Sequence, residues 1–254
     1  MRRGKADHGW TAALGAAAAL RLRSLFTATA LLLLALPTVA AELAPFDATF
    51  NVIWRGMGAG TAKLTLARKG DTWRYESHNN ARGIFKVAIP GEISQSSEFR
   101  LIDGRIVPHH FTTDDGTKQG KRNTDITFDW NAKRASGTAE GKTVDAAIEP
   151  GTQDTLSVQL ALIHELTAGR TPKRFVLFDG DEVKDYEYIA EGKERVETAL
   201  GSHETLKFRS KRPDSDRSTV FWCAPELGYL PVKVERQRGA KIEWSMAMTA
   251  LKRD

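Results

Sequence analysis

Turn-forming residues punctuate this chain so regularly that few folds remain open to it. Gly70-Asp71, Pro90-Gly91, Asp103-Gly104, Asp115-Gly116, Asn131 and Gly141 separate runs in which apolar and polar residues alternate at period two. That period sends successive side chains to opposite faces of a strand, and breaks this closely spaced suit hairpins rather than the helical crossovers of a parallel sheet. The spacing predicts strands over Asp47 to Arg55, Thr61 to Ala67, Thr72 to Ser77, Ile84 to Ile89, Ile93 to Ile102, Arg105 to Thr113, Asn123 to Trp130 and Thr143 to Ile148. A second series covers Arg174 to Asp179, Glu182 to Ala190, Glu194 to Ala199, His203 to Ser210, Ser218 to Cys223, Leu230 to Arg236 and Lys241 to Leu251. The last is the most regular, with Ile242, Trp244, Met246, Met248 and Ala250 on one face and Glu243, Ser245 and Thr249 on the other.

One stretch departs from this pattern. From Asp154 to Leu166 the residues Leu156, Val158, Leu160, Leu162, Ile163 and Leu166 fill a broad helical arc, and Asp154, Ser157, Ala161, His164 and Glu165 share the remainder. Asp154 suits an N-cap, Gly169 a left-handed stop and Pro172 a barrier to continuation, so a helix is predicted over about 154–167. A helix this apolar requires cover on most sides. The expected fold class is therefore mainly β: an antiparallel meander sheet curled into an open or closed barrel, with one central α-helix plugging or backing it.

The first forty residues belong to a different problem. Arg21 and Arg23 precede the apolar run Leu25 to Leu36, and Pro37 leads into the small residues Thr38-Val39-Ala40-Ala41. This is the pattern of a secretory signal peptide over 1–41, cleaved after Ala41 or Ala40, and the run is too short for a spanning helix, which needs roughly 20 residues. The expectation is a single exported β-rich domain, 42–254, located in the periplasm. The chain carries 37 Lys and Arg against 32 Asp and Glu, but Arg2, Arg3, Lys5, Arg21, Arg23 and Asp7 lie in the leader, which leaves 32 basic against 31 acidic groups. A near-neutral domain gives no ground for nucleic acid as a partner. Cys223 is the only cysteine, so no disulfide forms within one chain and stability falls to the core.

The chain resembles the exported bacterial family known as domain of unknown function 3108. The likeness is carried by Gly56-Met57-Gly58-Ala59-Gly60 after an aromatic strand, by Pro108 before the strand His109 to Thr113, and by Gln153-Asp154-Thr155-Leu156-Ser157 at the helix start. It is also carried by Phe221-Trp222-Cys223 with Gly228-Tyr229-Leu230-Pro231-Val232-Lys233-Val234 downstream. Thr155 stands where the resemblance implies proline. The family has no established activity, so the likeness implies a compartment and an architecture and assigns no catalytic residue.

The residues themselves offer little reaction chemistry. The glycines at 56, 58 and 60 precede a period-two run instead of the helix that a phosphate loop requires, which points to a turn or a close backbone approach. Ser157 and His164 are seven residues apart on one helix, about 10 Å along its axis, too far for a hydrogen bond. His164-Glu165 would need a histidine at 168 for zinc, and Ala168 is there. His109 and His110 point to opposite strand faces, and Cys223 reads as a small buried hydrophobe. No catalytic group, metal site or cofactor is expected. What remains is the aromatic and methionine set on strand faces. Trp54, Phe111, Trp130, Trp222, Trp244, Met246 and Met248 are the expected ligand-binding residues, lining the concave side of the sheet for an apolar small molecule or lipid. The alternatives are a hydrolase of envelope material, with His109 or His203 meeting Asp125 in a cleft, and an assembly factor that pairs through a sheet edge.

Overall fold

A computed structural model of the chain describes residues 43–253; the leader expected over 1–41 lies outside them. Fifteen strands follow one another as β1 (Phe46–Trp54), β2 (Met57–Lys69), β3 (Thr72–Ala81), β4 (Glu92–Ile102), β5 (Arg105–Asp114), β6 (Thr124–Asp129), β7 (Arg134–Ala139), β8 (Lys142–Ala147), β9 (Gln153–Asp154), β10 (Arg174–Asp179), β11 (Glu182–Thr198), β12 (Gly201–Lys211), β13 (Arg217–Ala224), β14 (Leu230–Arg238) and β15 (Lys241–Arg253). The short helix α1 (Phe85–Ala88) lies between β3 and β4, and the main helix α2 (Ser157–Thr167) between β9 and β10. Among the described residues no helix is long and apolar enough to cross a membrane.

All fifteen strands form one sheet, running from β8 back through β1, then β15 and back again to β9. Every pairing is antiparallel except that of β9 with β10. The first and last strands of the domain meet at its centre, β1 against β15, while β8 and β9 are the two ends and share no ladder. The sheet is thus open. It nevertheless curls until its ends approach: Lys142 Nζ, at the start of β8, lies 2.9 Å from Asp181 in the turn after β10. Phe128 of β6 meets Phe178 of β10 edge to face, with ring centroids 6.1 Å apart.

Two things occupy the inside of the curl. The first is α2, whose Val158, Leu162 and Leu166 pack with Leu177, Tyr188, Phe208, Phe221 and Val234 of the C-terminal half. Its Leu156, Leu160 and Ile163 join the larger cluster, which draws mostly on β1 to β8 and also takes in Phe178, Val220, Trp222, Val232 and Met248. The spacing i, i+4, i+8 on one side and i, i+4, i+7 on the other explains why a nearly all-apolar helix is stable here: it is held between two sheet halves. Gly169, at φ +71°, stops it in the left-handed conformation that the sequence predicts.

The second is a buried polar knot. Asp154 is fully buried, and its Oδ1 accepts the amides of Leu156 at 2.8 Å and Ser157 at 2.6 Å, while Oδ2 accepts the Ser97 hydroxyl of β4 at 2.5 Å. Beside it the Gln153 side-chain amide donates to Ile106 O of β5 at 3.0 Å. Asp154 therefore caps the turn that enters α2 and at the same time ties the far end of the sheet to its other half. The sequence predicts a helix from about 154 with Asp154 as its N-cap and Ser157 on the polar arc; α2 instead begins at Ser157 with Leu156 as N-cap, and Asp154 pairs in β9. Both Asp154 and Ser157 are buried, because the helix start is inserted against β4 and β5 and their polar atoms bond one another.

Other departures have local causes. Residues 84–89, expected as a strand, form one helical turn, since β3 pairs directly with β4 (Asn80 opposite Glu92) and 82–91 is only the connection. β11 is one strand, with Glu191 bulged where the register shifts between Ala190 and Gly192. β7, Arg-Ala-Ser-Gly-Thr-Ala, lacks the residues that signal a strand, and Gly137 is needed there because a Cβ would sit 2.0 Å from Asp125 O. The expected glycine turn shrinks to Arg55-Gly56, with Gly58 and Gly60 inside β2.

Two predictions follow. Removing the knot in Asp154→Ala leaves three buried donors unpaired and should lower the unfolding free energy by about 3 kcal/mol or more in urea titration, with Asp154→Asn costing much less. Burial holds the Asp154 carboxyl above the ordinary carboxylate range, against the lowering effect of its hydrogen bonds. The folded protein then binds that proton more tightly than the unfolded chain, so stability falls as pH rises from about 4 through the folded-state value. Asp154→Asn should remove this decline, and a parallel pH dependence in the two proteins would refute the assignment. The second concerns β2: Gly60→Ala should destabilise by about 1–3 kcal/mol, because a Cβ would lie 2.1 Å from Asn80 O, whereas Gly58→Ala meets nothing within 4 Å and should be silent.

Candidate functional site

Strand register builds the concave face in rungs. One apolar rung crosses five strands as Phe208, Phe221, Val234, Met246 and Val52, each opposite the next. The neighbouring rung, nearer the strand ends, reads Tyr188, Ser210, Thr219, Arg236, Trp244 and Trp54. Deeper along the same strands the inward residues are sealed: Val232, Met248 and Phe50 are at most 1% exposed. The face is therefore closed at one end and open at the other.

A cavity of about 850 Å³ occupies this open end. The two rungs, apart from the buried Phe208, form one wall, and Leu64, Ser77, Asn79, Ile93 and Gln95 of β2 to β4 form the facing wall. Val158 and Gln159 of α2, with Leu177, close the bottom, and Phe85 and Ile89 of the α1 connection overhang the mouth. Gly60 lies in the wall without a side chain. Around the mouth stand exposed apolar side chains from three turns: Trp54 and Met57, Ile84 and Val87, and Ile242. Of the lining groups only Asp179 and Arg236 carry charge. The Asp179 carboxylate accepts the Tyr186 hydroxyl at 2.6 Å, and burial first, with that hydrogen bond second, pushes the phenol well up. Arg236 Nη1 donates to Thr219 Oγ1 at 2.8 Å. A smaller polar cleft of about 300 Å³ adjoins the cavity, sharing Ile93, Gln95, Thr155 and Asp179 and adding Asp114, Asp115 and Arg122. There the Thr117 hydroxyl and amide hold the Asp115 carboxyl below its usual range.

The structure separates the aromatic set. Trp54, Trp244 and Met246 line the cavity, and Phe111 lines the adjoining cleft. Trp130 stacks on Phe128 at 6.2 Å between centroids and donates its indole N–H to Pro108 O at 2.6 Å. Trp222 is on the other face of β13 from Phe221, with the Lys233 ammonium 4.4 Å and the Lys207 ammonium 5.1 Å from its ring centroid. Met248 is fully buried core beneath Met246. Phe85 and Phe221, which belong to the wider aromatic set of the sequence, also reach the cavity, and Tyr186, Tyr188, Val234 and Arg236 do so without having been singled out. Parity marks Val234 and Arg236 as one face of β14, but only the register shows that this face is the concave one.

The ionisable pairs lie elsewhere. Asp125 meets His110 at 2.8 Å, an exposed pair, and neither His109 nor His203, so the expected hydrolase constellation is not assembled. His203 is 2.8 Å from Glu226 and 3.2 Å from Thr198 Oγ1, an order that resembles a nucleophile, base and carboxylate. Thr198 Oγ1, however, accepts the Leu200 amide at 3.1 Å and donates to Gly201 O at 3.3 Å, so it fastens the β11–β12 turn. Among the described residues no three His, Cys, Asp or Glu side chains converge to hold a metal ion. Cys223 is fully buried, and burial pushes its thiol up to about 12. A thiol-exchange reagent should therefore label it only on unfolding, and labelling of the native protein within minutes would contradict its place in the core.

No curated protein matches this chain. Among solved structures, the β-barrel-like protein of domain of unknown function DUF1849 from Brucella abortus aligns over 84% of this chain and 99% of its own, at 13% identity and a TM-score of 0.52. It shares the fold. MucB in complex with MucA(peri) aligns over 83% of this chain and 50% of its own, at 13% identity and a TM-score of 0.34. A family profile matches residues 49–240, from the middle of β1 to the turn before β15, and the chain belongs to that family, described as a protein of unknown function (DUF3108).

Proposed function

We propose that this protein is a non-catalytic component of the bacterial cell envelope that captures an apolar or lipidic ligand in the concavity of its sheet. The observation that carries the reading is the blind cavity of about 850 Å³, apolar at its base and open at the strand ends. That volume lies within the range of small-molecule sites, and apolar walls with a few polar groups are what such sites share. Trp54, Trp244 and Met246 are its proposed contacts among the residues expected from sequence, joined by Phe221 and Val234. The exposed apolar side chains at the mouth give an entering chain a continuous path inward.

Residues 42–254 are proposed as the mature periplasmic domain, with 1–41 removed on export. Pairing through a sheet edge is the weaker alternative. Of the two edges, β9 is only two residues long and β8 six, with Lys142 and Asp145 on it, and short charged edges are poor templates for strand addition.

The mature protein, purified gently from a bacterial periplasm, should yield a stoichiometric apolar molecule on organic extraction and mass spectrometry. Trp244→Asp combined with Met246→Asp places two carboxylates on neighbouring rungs of the wall and should reduce the recovered ligand at least about ten-fold, a loss of 1.4 kcal/mol or more in binding. Unchanged recovery from a double variant that keeps its fold would sink the reading.

A further inference from the structure

Resting on that reading, we infer that the cavity selects a single-chain amphiphile with an anionic oxygen head, carboxylate or phosphate, and that Arg236 is the group that binds the head. The argument begins with what the other arginines on this half of the sheet do. Arg209 is bonded to Glu191, Arg217 faces Glu243, and Arg238 faces Glu243 and Asp216. Each has a carboxylate. Arg236 has none within ion-pair reach among the described residues; it donates to the Thr219 hydroxyl, which leaves most of its five N–H donors unused. Asp179, the other charged group in the wall, is engaged by the Tyr186 hydroxyl and by Lys184 Nζ at 3.7 Å, so its charge is already answered.

Position completes the case. Arg236 is half-buried between Thr219 and Trp244 on the outer rung, and one step inward on the same strand is Val234, 2% exposed. Beyond Val234 the wall is Met246 and Phe221, and the bottom is Val158. A guanidinium at the mouth above an apolar well matches a molecule with its charge at one end and a hydrocarbon chain at the other. The planar fork suits an oxyanion, and a low-dielectric wall strengthens the bond. A neutral apolar molecule would leave the guanidinium without a counter-charge.

Quenching of tryptophan emission by brominated chains tests this directly, because Trp54 and Trp244 lie in the wall. At neutral pH dibromostearate and a lysophosphatidate bearing the same chain should each quench at concentrations about ten-fold below those needed for dibromostearate methyl ester. The tighter of the two acids names the head. Arg236→Gln should weaken the acids to the level of the ester while leaving the ester unchanged, and Arg236→Lys should restore part of the preference. Wild-type protein that binds ester and acids equally overturns the head-group inference and leaves the apolar cavity standing, a comparison that needs no variant to fold. Saturable quenching by none of the three overturns the ligand reading itself.

Discussion

A buried carboxylate with three hydrogen-bond donors holds this architecture in its curled form. An open sheet of fifteen strands has no ladder to close it, and its two ends could in principle splay. Asp154 prevents that by accepting from Ser97 on β4 and from the two amides that begin α2. Gln153 adds a bond to the backbone of β5. Apolar contacts alone would pull the halves together without fixing their offset, whereas donors and acceptors with required directions define it. The exposed Lys142–Asp181 pair at the other approach of the two ends is a weaker tie, since solvent screens it.

Because the knot lies at the helix entrance, it also decides where α2 sits and hence how much of the curl is filled. Helix and core residues seal one end of the concave face, down to Met248 and Val232. The strands run on beyond the helix, and over that length the cavity separates β14–β15 from β2–β4, with Phe85 and Ile89 of the α1 connection in its lining. Gly60 widens the space further, in a place where the backbone of β3 already forbids a side chain. The cavity is thus a consequence of strands longer than the helix that plugs them.

The elements were legible in the sequence to the extent that they depend on local chemistry. Period-two runs and turn residues gave the strands and the antiparallel sense, and Gly169 marked the end of the helix, whose start falls three residues after the expected Asp154. β7 was invisible because its Gly and Ser serve a close approach between strands, a need that exists only once β6 is alongside. Residues 84–89 looked like a strand because a four-residue helical turn has too few positions to show a period. The cavity was legible only in part. Trp244 and Met246 could be placed on one face of β15, but the same alternation put Met248 beside them, and burial depth, not parity, separates core from wall. Trp222 could not be told from Phe221 without knowing which face of β13 is concave. Arg236 had no local signature at all: the role inferred for it rests on its lacking, among the described residues, the carboxylate that Arg209, Arg217 and Arg238 each have.

The size of the cavity argues that it is not simply imperfect packing. A dry hole in a protein core costs about 24 cal/mol per Å³. At that rate about 850 Å³ would cost about 20 kcal/mol, more than the 5–15 kcal/mol that holds a typical domain together. The space is therefore sustained only because it communicates with solvent or holds a ligand, and the polar outer rung of Tyr188, Ser210, Thr219 and Arg236 is the part suited to water. The inner rung is not: Phe221, Val234, Met246 and Val52 offer water no hydrogen bonds. Water held against that rung is released when a hydrocarbon chain replaces it, and the gain grows with the apolar area covered, about 25 cal/mol per Å². A well with a wettable rim and an unwettable floor thus favours a ligand divided in the same way.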